Sequence, residues 1–350
     1  MLERNVARMA AHAAALGIEL WPHVKTHKCA EVIAAQLAAG AAGMTVATPA
    51  EAELARDAGA PAILVAHPPA SPDRLERIVA LAGEVRLRVA LDSEAVAEAL
   101  DAACRAAGVR AGWLWELDCG VGRCGTAPGE ATADRVAALA GRLGTATFEG
   151  LLTFPGHAYG GDVLGAAADE RRALASTTAA LERRGVAVPA RSAGTTPTGW
   201  ALTDAGPVTE LRPGNYVFHD ATQVALGAAA WEDCALSVLA TVVSRPDPRR
   251  VILDAGSKAL AAERMTPLTP HLGHVPGHPG LVVERLFEEH AILTSAEPVA
   301  IPVGARLAVV PNHACAAANL HERMVVTAGG EPTGEWAVAA RGWEPVAHGH

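Results

Sequence analysis

Short apolar runs alternate with amphipathic stretches along the first two thirds of the chain. The apolar runs predict buried strands, whereas apolar residues spaced three or four positions apart predict helices. The predicted strands cover residues 19–24, 43–47, 62–66, 86–90, 112–117, 148–153, 190–192 and 210–218. The predicted helices include residues 30–39, 49–58, 73–81, 93–107, 131–143 and 166–184. This alternation is typical of a parallel sheet covered by helices.

Eight strands of this kind are enough to close a sheet on itself. We therefore predict an α/β protein in which residues 1–229 form a (β/α)8 TIM-type barrel, with functional loops after the carboxyl ends of the strands. The alternative is an open, doubly wound sheet. That fold is disfavoured because no Gly-x-Gly-x-x-Gly sequence follows the first strand, so the chain lacks a dinucleotide-binding fingerprint.

The pattern changes after residue 229, where strand-like segments follow one another without long helical stretches between them. The predicted strands here cover residues 234–243, 250–253, 281–286, 308–310, 323–327 and 335–339. Successive strands joined by short connections are typical of antiparallel sheets. We therefore predict a second, smaller antiparallel β domain over residues 230–350, packed beside the barrel.

Composition and charge narrow the range of partners. The chain has 29 basic and 38 acidic residues, a formal net charge of −9, and no long basic run. Nucleic acid and anionic membranes are therefore poor partners, and a small-molecule substrate is expected. The sequence also lacks a long uncharged apolar window, a signal-peptide pattern and any Cys-x-x-Cys pair among its six cysteines. We predict a cytoplasmic protein with reduced thiols.

The segment at residues 20–28, Leu-Trp-Pro-His-Val-Lys-Thr-His-Lys, contains the first candidate for chemistry. It places Lys25 at the end of the first predicted strand, between His23 and His27 and close to Lys28. Nearby positive charge and partial burial both lower the pKa of a lysine amine, and a neutral amine can attack an aldehyde. The alternative is an exposed basic turn without a ligand.

The loops after the later strands contain further candidates. After the seventh strand, Gly194, Thr195 and Thr196 offer backbone amides and hydroxyls just before a short helical segment, a combination suited to binding phosphate. After the sixth strand, His157 is either an acid–base group or a structural histidine. The alternative for residues 194–196 is an ordinary glycine- and threonine-rich turn, which is common in any barrel.

A possible metal site lies in the second predicted domain, where His313 and Cys315 stand two positions apart. In an extended segment such residues point to the same side, and an imidazole with a thiolate favours zinc. The spacing alone is a weak signal. The loop that contains His271, His274 and His278 could also bind metal, but a solvated connection is the preferred interpretation.

Two of these segments resemble motifs of one enzyme family. Pro-His-Val-Lys-Thr-His-Lys at residues 22–28 and Pro-Asn-His-Ala-Cys at residues 311–315 resemble the lysine and metal motifs of pyridoxal-phosphate enzymes with an alanine racemase-like barrel, called fold type III. The matching branch is that of D-serine dehydratase and D-threonine aldolase. The resemblance implies that Lys25 binds the cofactor covalently and that Arg123 faces its pyridine nitrogen. It further implies a phosphate loop at Gly194, Thr195 and Thr196, a nearby Tyr216, and a metal on His313 and Cys315.

The resemblance also implies a lyase that acts on D-3-hydroxy amino acids, and a homodimer. The preferred hypothesis is a D-serine dehydratase that forms pyruvate and ammonia, with Lys25 removing the α-proton and Zn²⁺ assisting loss of the β-hydroxyl. The alternative is a D-threonine or 3-hydroxy-D-amino acid aldolase that uses Mn²⁺ or Mg²⁺, with His157 taking the hydroxyl proton. A pyridoxal-phosphate-binding protein without turnover and an amino-acid racemase are more distant alternatives.

Overall fold

The computed structural model describes residues 1–342, and its larger part is an eight-stranded parallel sheet. The strand order β1-β8-β7-β6-β5-β4-β3-β2 makes sequential strands neighbours. The sheet curls until its two ends meet, because the backbone of Thr45 donates to Pro22 over 2.8 Å and Ala42 donates to Leu20 over 2.9 Å. This arrangement confirms the predicted barrel. Its strands are β1 (Glu19–Leu20), β2 (Met44–Val46), β3 (Ala62–Val65), β4 (Arg86–Leu91), β5 (Ala111–Leu117), β6 (Ala146–Thr153), β7 (Ala190–Ala193) and β8 (Glu210–Leu211).

Helices cover the outside of the barrel, and several begin and end where local chemistry requires. Helix α3 starts with a proline after Thr48, whose hydroxyl accepts from the backbone of Glu51, and α5 ends at Gly108 with φ of 69°. The helices are α1 (Leu2–Leu16), α2 (Ala30–Ala38), α3 (Pro49–Asp57), α4 (Pro72–Ala80), α5 (Glu94–Ala107), α6 (Glu130–Arg142), α7 (Val163–Glu182), α8 (Thr196–Ala201), α9 (Ala221–Ala225), α10 (Ser257–Leu260) and α11 (Ala314–Leu320). None of the helices within residues 1–342 is long and apolar enough to cross a membrane.

The first and last barrel strands are shorter than predicted. Strand β1 stops at Leu20 instead of residue 24, and β8 stops at Leu211 instead of residue 218. Each strand is soon followed by a proline, Pro22 or Pro213, which lacks the N–H that a sheet ladder needs. The backbone then forms 3₁₀ turns at Val24–Thr26 and Asn215–Val217. Lys25 therefore lies on a turn beyond the end of the strand.

The smaller part of the structure is antiparallel, as predicted. Its five-stranded sheet has the order β11-β12-β10-β9-β13, and a separate hairpin pairs β14 with β15. The predicted strand starting at residue 234 begins only at Val238, and one strand, β12, was missed although its apolar run is visible. The strands are β9 (Val238–Asp247), β10 (Arg250–Leu253), β11 (Leu281–Leu286), β12 (Ala291–Ser295), β13 (Arg306–Val309), β14 (Arg323–Ala328) and β15 (Glu331–Ala337).

A buried ion pair crosses the barrel interior. The guanidinium of Arg88 on β4 donates to both carboxylate oxygens of Glu210 on β8, over 2.7 and 3.2 Å. It also lies 4.7 Å from the ring centroid of Trp21. Both charged residues are buried, so each depends on the other for its stability in this apolar interior.

Replacement of Arg88 by methionine is expected to lower the free energy of unfolding by about 3–5 kcal/mol, because it leaves the Glu210 carboxylate buried without its charged partner. Urea denaturation measures this loss. Arg86→Met is the matched control: Arg86 is exposed and paired with Glu149 over 2.7 Å, so the cost should be about 1 kcal/mol or less. Equal losses of unfolding free energy in the two variants would contradict the conclusion that Arg88 stabilises the buried carboxylate of Glu210.

Candidate active site

One cavity of about 990 Å³ lies between the carboxyl ends of the barrel strands and helices α10 and α11 of the smaller part. Its volume suits a cofactor together with a small substrate. Most residues predicted from the sequence line this cavity, although they come from segments far apart in the chain. They are Lys25, Arg123, Gly194, Thr195, Thr196, His313 and Cys315.

Lys25 is positioned by its own turn. Its backbone N–H donates to Nδ1 of His23 over 3.3 Å, and its Nζ lies 5.7 Å from the ring centroid of Phe154. Burial lowers the pKa of Lys25, and the positive charge of Arg123 lowers it further, although Cys315 raises it. The net shift is downward, so the neutral, nucleophilic amine is more accessible than in an exposed lysine.

The second lysine of the motif has a different role. Lys28 has a left-handed backbone with φ of 53°, and its side chain is almost completely buried. Its Nζ donates to Oδ1 of Asn319 over 2.7 Å and lies 3.5 Å from a carboxylate oxygen of Glu51. Lys28 is thus tied to a carboxylate of the barrel and to an amide of α11. It links the two parts of the structure at the cavity wall.

The backbone amides of the candidate phosphate loop, residues 194–196, are not free as the sequence led us to expect. The N–H of Gly194 donates to Oε1 of Glu170 over 2.8 Å, and the N–H of Thr195 donates to Oγ1 of Thr198 over 2.9 Å. Both amides therefore have partners within the protein. The hydroxyl of Thr196 accepts from the backbone of Tyr216 over 3.1 Å, so it keeps its own hydrogen for donation to a ligand.

Glu170 was not identified from the sequence. It is fully buried on α7, and burial raises its pKa to about 7 although its hydrogen bonds from Gly194 and Thr153 act in the opposite direction. These two bonds join the end of β6 to the loop after β7. In the sequence, Glu170 is an acidic residue of an amphipathic helix, and such a residue normally lies on the solvated face of the helix.

Arg123 lies at the mouth of the cavity with about half of its side chain exposed. Its guanidinium lies 4.3 Å from the ring centroid of Phe154 and 3.8 Å from a carboxylate oxygen of Glu116. The loop before Arg123 is fixed by Asp118, whose carboxylate accepts from the backbone of Gly120 and Gly122 over 2.9 and 3.1 Å. A planar cation is thereby presented towards the cavity beside the aromatic ring.

Two predicted residues do not reach the cavity with their side chains. His157 lies on a 3₁₀ turn and its Nε2 is 3.2 Å from Oδ2 of Asp169, away from the cavity lining. Tyr216 donates its backbone N–H to the hydroxyl of Thr196, but its own hydroxyl accepts from Nε2 of Gln36 over 3.0 Å inside the core. Neither His157 nor Tyr216 is among the residues that line the cavity, and their roles stay predictions. Tyr159, on the same turn as His157, lines the cavity instead.

His313 and Cys315 meet at the cavity wall, but not for the reason predicted. The segment is not extended throughout: His313 is the N-cap of α11, and Cys315 lies in its first turn. Their side chains are hydrogen-bonded to each other, and Cys315 Sγ is 3.2 Å from Oγ1 of Thr26. Burial raises the pKa of Cys315, but the positive charge of His313, the hydrogen bonds with His313 and Thr26 and the charge of Lys25 together outweigh it, so the net shift is downward.

The start of α11 is anchored by a buried carboxylate. Asp220, the N-cap of α9, accepts from the backbone of Ala314 over 2.8 Å and from the backbone of Gln223 over 2.9 Å. It also accepts from Nδ2 of Asn215 over 2.5 Å. The residue between His313 and Cys315 is therefore tied to the barrel. No local sequence pattern indicates this contact, which joins positions 94 residues apart.

The side chains that line the cavity fit pyridoxal phosphate and zinc, the two groups that the sequence motifs imply. A partly buried lysine with a lowered pKa, threonine hydroxyls and an arginine suit pyridoxal phosphate. A partly buried thiol with a lowered pKa beside an imidazole suits a zinc ion with further positions open for other ligands. Within residues 1–342, no three His, Cys, Asp or Glu side chains form a metal-binding cluster, so His271, His274 and His278 do not converge as one.

Comparisons with known proteins cover nearly the whole chain. A sequence profile described as alanine racemase, N-terminal domain, matches residues 1–222, and one described as putative serine dehydratase domain matches residues 235–327. D-threo-3-hydroxyaspartate dehydratase from Delftia sp. (strain HT23) is 38% identical over 90% of this chain and 88% of the relative. D-threonine aldolase from Arthrobacter sp. is 33% identical over 97% of this chain and 90% of the relative.

Solved structures are similar in fold over the same extent. A histidine-to-alanine variant of D-threo-3-hydroxyaspartate dehydratase aligns with a TM-score of 0.89 and 34% identity, covering 98% of this chain and 93% of that one. A cysteine-to-alanine variant of the same enzyme, in its metal-free form, aligns with a TM-score of 0.88 and 35% identity, covering 98% and 95%.

Proposed function

This chain belongs to the family of pyridoxal-phosphate lyases with an alanine racemase-like barrel, and from that premise we propose that it dehydrates D-3-hydroxy amino acids, with D-serine as its first substrate. The observation that carries the proposal is the placement of partly buried Lys25 and the His313–Cys315 pair in one cavity. A base and a metal site there would act on neighbouring carbons of a bound substrate. The similarity to a hydroxyaspartate dehydratase supports dehydration as the reaction type.

The residues that would hold pyridoxal phosphate are Lys25 and the loop with Gly194, Thr195 and Thr196, all of which line the cavity. Arg123 would face the pyridine nitrogen, and because a guanidinium has no acceptor, it would keep that nitrogen unprotonated. When bound, the cofactor withdraws electrons from the substrate and acidifies its α-proton. The amine of Lys25 then removes that proton as a general base.

The residues that would hold zinc are His313 and Cys315. A thiolate with an imidazole selects zinc over magnesium or manganese. When bound, zinc acts as a Lewis acid that makes the β-hydroxyl a better leaving group. The dehydratase relative supports this assignment. Its solved structures include a histidine-to-alanine variant and a cysteine-to-alanine variant at positions two residues apart, and the cysteine variant is in a metal-free form.

The second candidate is retro-aldol cleavage, which is favoured by the similarity to D-threonine aldolase. That reaction needs a base for the hydroxyl proton, and His157 was the sequence-based candidate. Its pairing with Asp169 outside the cavity lining gives that role no support. We therefore place dehydration first. A binding protein without turnover and a racemase have no structural feature in their favour here.

Other features of the chain extend this proposal. We propose that the barrel unit comprises residues 1–229 and the β unit residues 230–350, of which 343–350 lie outside the described residues. The profile matches at 1–222 and 235–327 support a division between them. A homodimer and a cytoplasmic location stay predictions from the resemblance and the composition.

A product assay separates the two reactions. D-serine is expected to yield pyruvate and ammonia in equal amounts, because the same elimination releases both, and D-threonine should yield 2-oxobutyrate. D-threo-3-hydroxyaspartate is assayed in parallel, with the L-isomers as controls. L-isomers should react far more slowly, since one lysine on one side of the cofactor removes one α-proton geometry. Glycine and acetaldehyde from D-threonine, with no pyruvate from D-serine, would favour the aldolase.

A further inference from the structure

A third side chain contacts the proposed metal pair. Glu263 lies in the segment after α10, lines the cavity, and is about half exposed. One oxygen of its carboxylate is hydrogen-bonded to Nδ1 of His313. Nothing in the sequence connects the two residues, which are 50 positions apart. The carboxylate has one described partner, so this contact accounts for its position at the cavity.

The contact determines which ring nitrogen of His313 is available. An imidazole has two nitrogens that point in different directions, and Glu263 occupies Nδ1. Nε2 is therefore the ring nitrogen of His313 that remains available to bind a metal ion together with Cys315. A histidine that binds a metal through Nε2 keeps a hydrogen on Nδ1, and a carboxylate acceptor fixes both that tautomer and the ring orientation.

The ring of His313 has two side-chain contacts, one with Cys315 and one with Glu263. Asp220 fixes the backbone of Ala314, and Thr26 contacts Cys315, but neither contact restrains rotation of the imidazole about its side-chain bonds. The backbone and the thiolate are thus positioned from the barrel. The imidazole contacts Cys315 and, from the smaller part of the structure, Glu263, which holds Nδ1.

We propose that Glu263 is a positioning residue of the metal site, which orients His313 through Nδ1 and thereby sets the affinity for zinc. The inference rests on the proposed metal role of His313 and Cys315. Glu263 does not itself bind the ion, because Nδ1 and Nε2 diverge from the ring and one ion cannot contact both the carboxylate on one side and the thiolate on the other.

The test is a zinc titration of the pyridoxal-phosphate-loaded protein in competition with a chromophoric chelator. Glu263→Ala is expected to weaken zinc binding about 10–100-fold, because metal affinity typically falls by this factor when the hydrogen-bond partner of a metal-bound histidine is removed. Glu263→Gln keeps an acceptor without the charge and should give an intermediate affinity. One zinc per chain should still bind at saturation in both variants, and the visible cofactor band should not change.

Glu288→Ala is the matched control. Glu288 is an exposed carboxylate of the same β-rich part, paired with Lys258 over 3.6 Å, and its removal should leave zinc affinity unchanged. Thermal unfolding should give similar midpoints for all variants, because Glu263 is too exposed to stabilise the core. This result separates a change at the metal from a loss of fold.

Two results would overturn the inference while leaving the proposed function intact. The first is a Glu263→Ala variant that binds zinc as tightly as the wild type. The second is a Glu263→Ala variant that binds no zinc even at saturating concentrations. Cys315→Ala is expected to behave in this way, so the result would make Glu263 a metal ligand. A wild-type protein that binds no zinc at all would instead refute the metal assignment, and with it the role of Glu263.

Discussion

Lys25→Ala is expected to abolish turnover of every substrate, with a loss of at least about 10²–10⁴-fold from the missing proton transfer alone. The variant should also lose the visible absorption band of covalently bound pyridoxal phosphate. The physical reason is that the buried amine of Lys25, whose pKa is lowered chiefly by burial, supplies both the covalent attachment and the base. Steady-state kinetics and an absorption spectrum measure the two effects.

Lys28→Ala is the matched control for the attachment site, since Lys28 lines the same cavity but its ammonium is bound to Asn319 and Glu51. Borohydride reduction followed by peptide mapping should place the cofactor on Lys25 in both the wild type and the Lys28→Ala protein. A label on Lys28, or an unchanged visible band in the Lys25→Ala protein, would refute the assignment.

The second large effect is expected from Cys315→Ala, which should remove bound zinc and lower turnover by at least about 10²-fold. A Lewis acid contributes several kcal/mol to stabilising the departing oxygen, and each 1.4 kcal/mol corresponds to about tenfold in rate. The cofactor band should remain, because Lys25 and the phosphate loop are unchanged. Metal analysis and kinetics after chelator treatment of the wild type should reproduce the same loss.

Cys124→Ala controls for the loss of any cavity thiol. Cys124 lines the same cavity, but it lies near Arg123 and Glu116 rather than His313, and burial raises the pKa of its thiol. It should therefore keep one zinc per chain. Full activity of metal-free Cys315→Ala would show that the pair is structural, and zinc loss in the Cys124 variant would show a different ligand set.

The barrel was predictable because each of its strands and helices is encoded locally. A parallel sheet buried on both faces needs apolar runs, and the covering helices need apolar residues every three or four positions. Strand ends were less predictable. The sequence analysis extended β1 to residue 24 and β8 to residue 218, whereas Pro22 and Pro213 end the ladders early.

The sequence by itself determined the fold class and identified the main candidate residues, Lys25, His313 and Cys315, because local patterns and short motifs carry that information. Only the tertiary structure decided which other side chains enter the cavity. His157 and Tyr216 turn away to pair with Asp169 and Gln36, whereas Glu170, Asp220 and Glu263 contact the site from distant segments. A side chain's direction depends on the partners that satisfy its polar atoms after folding, and those partners are brought together by packing rather than by spacing along the chain.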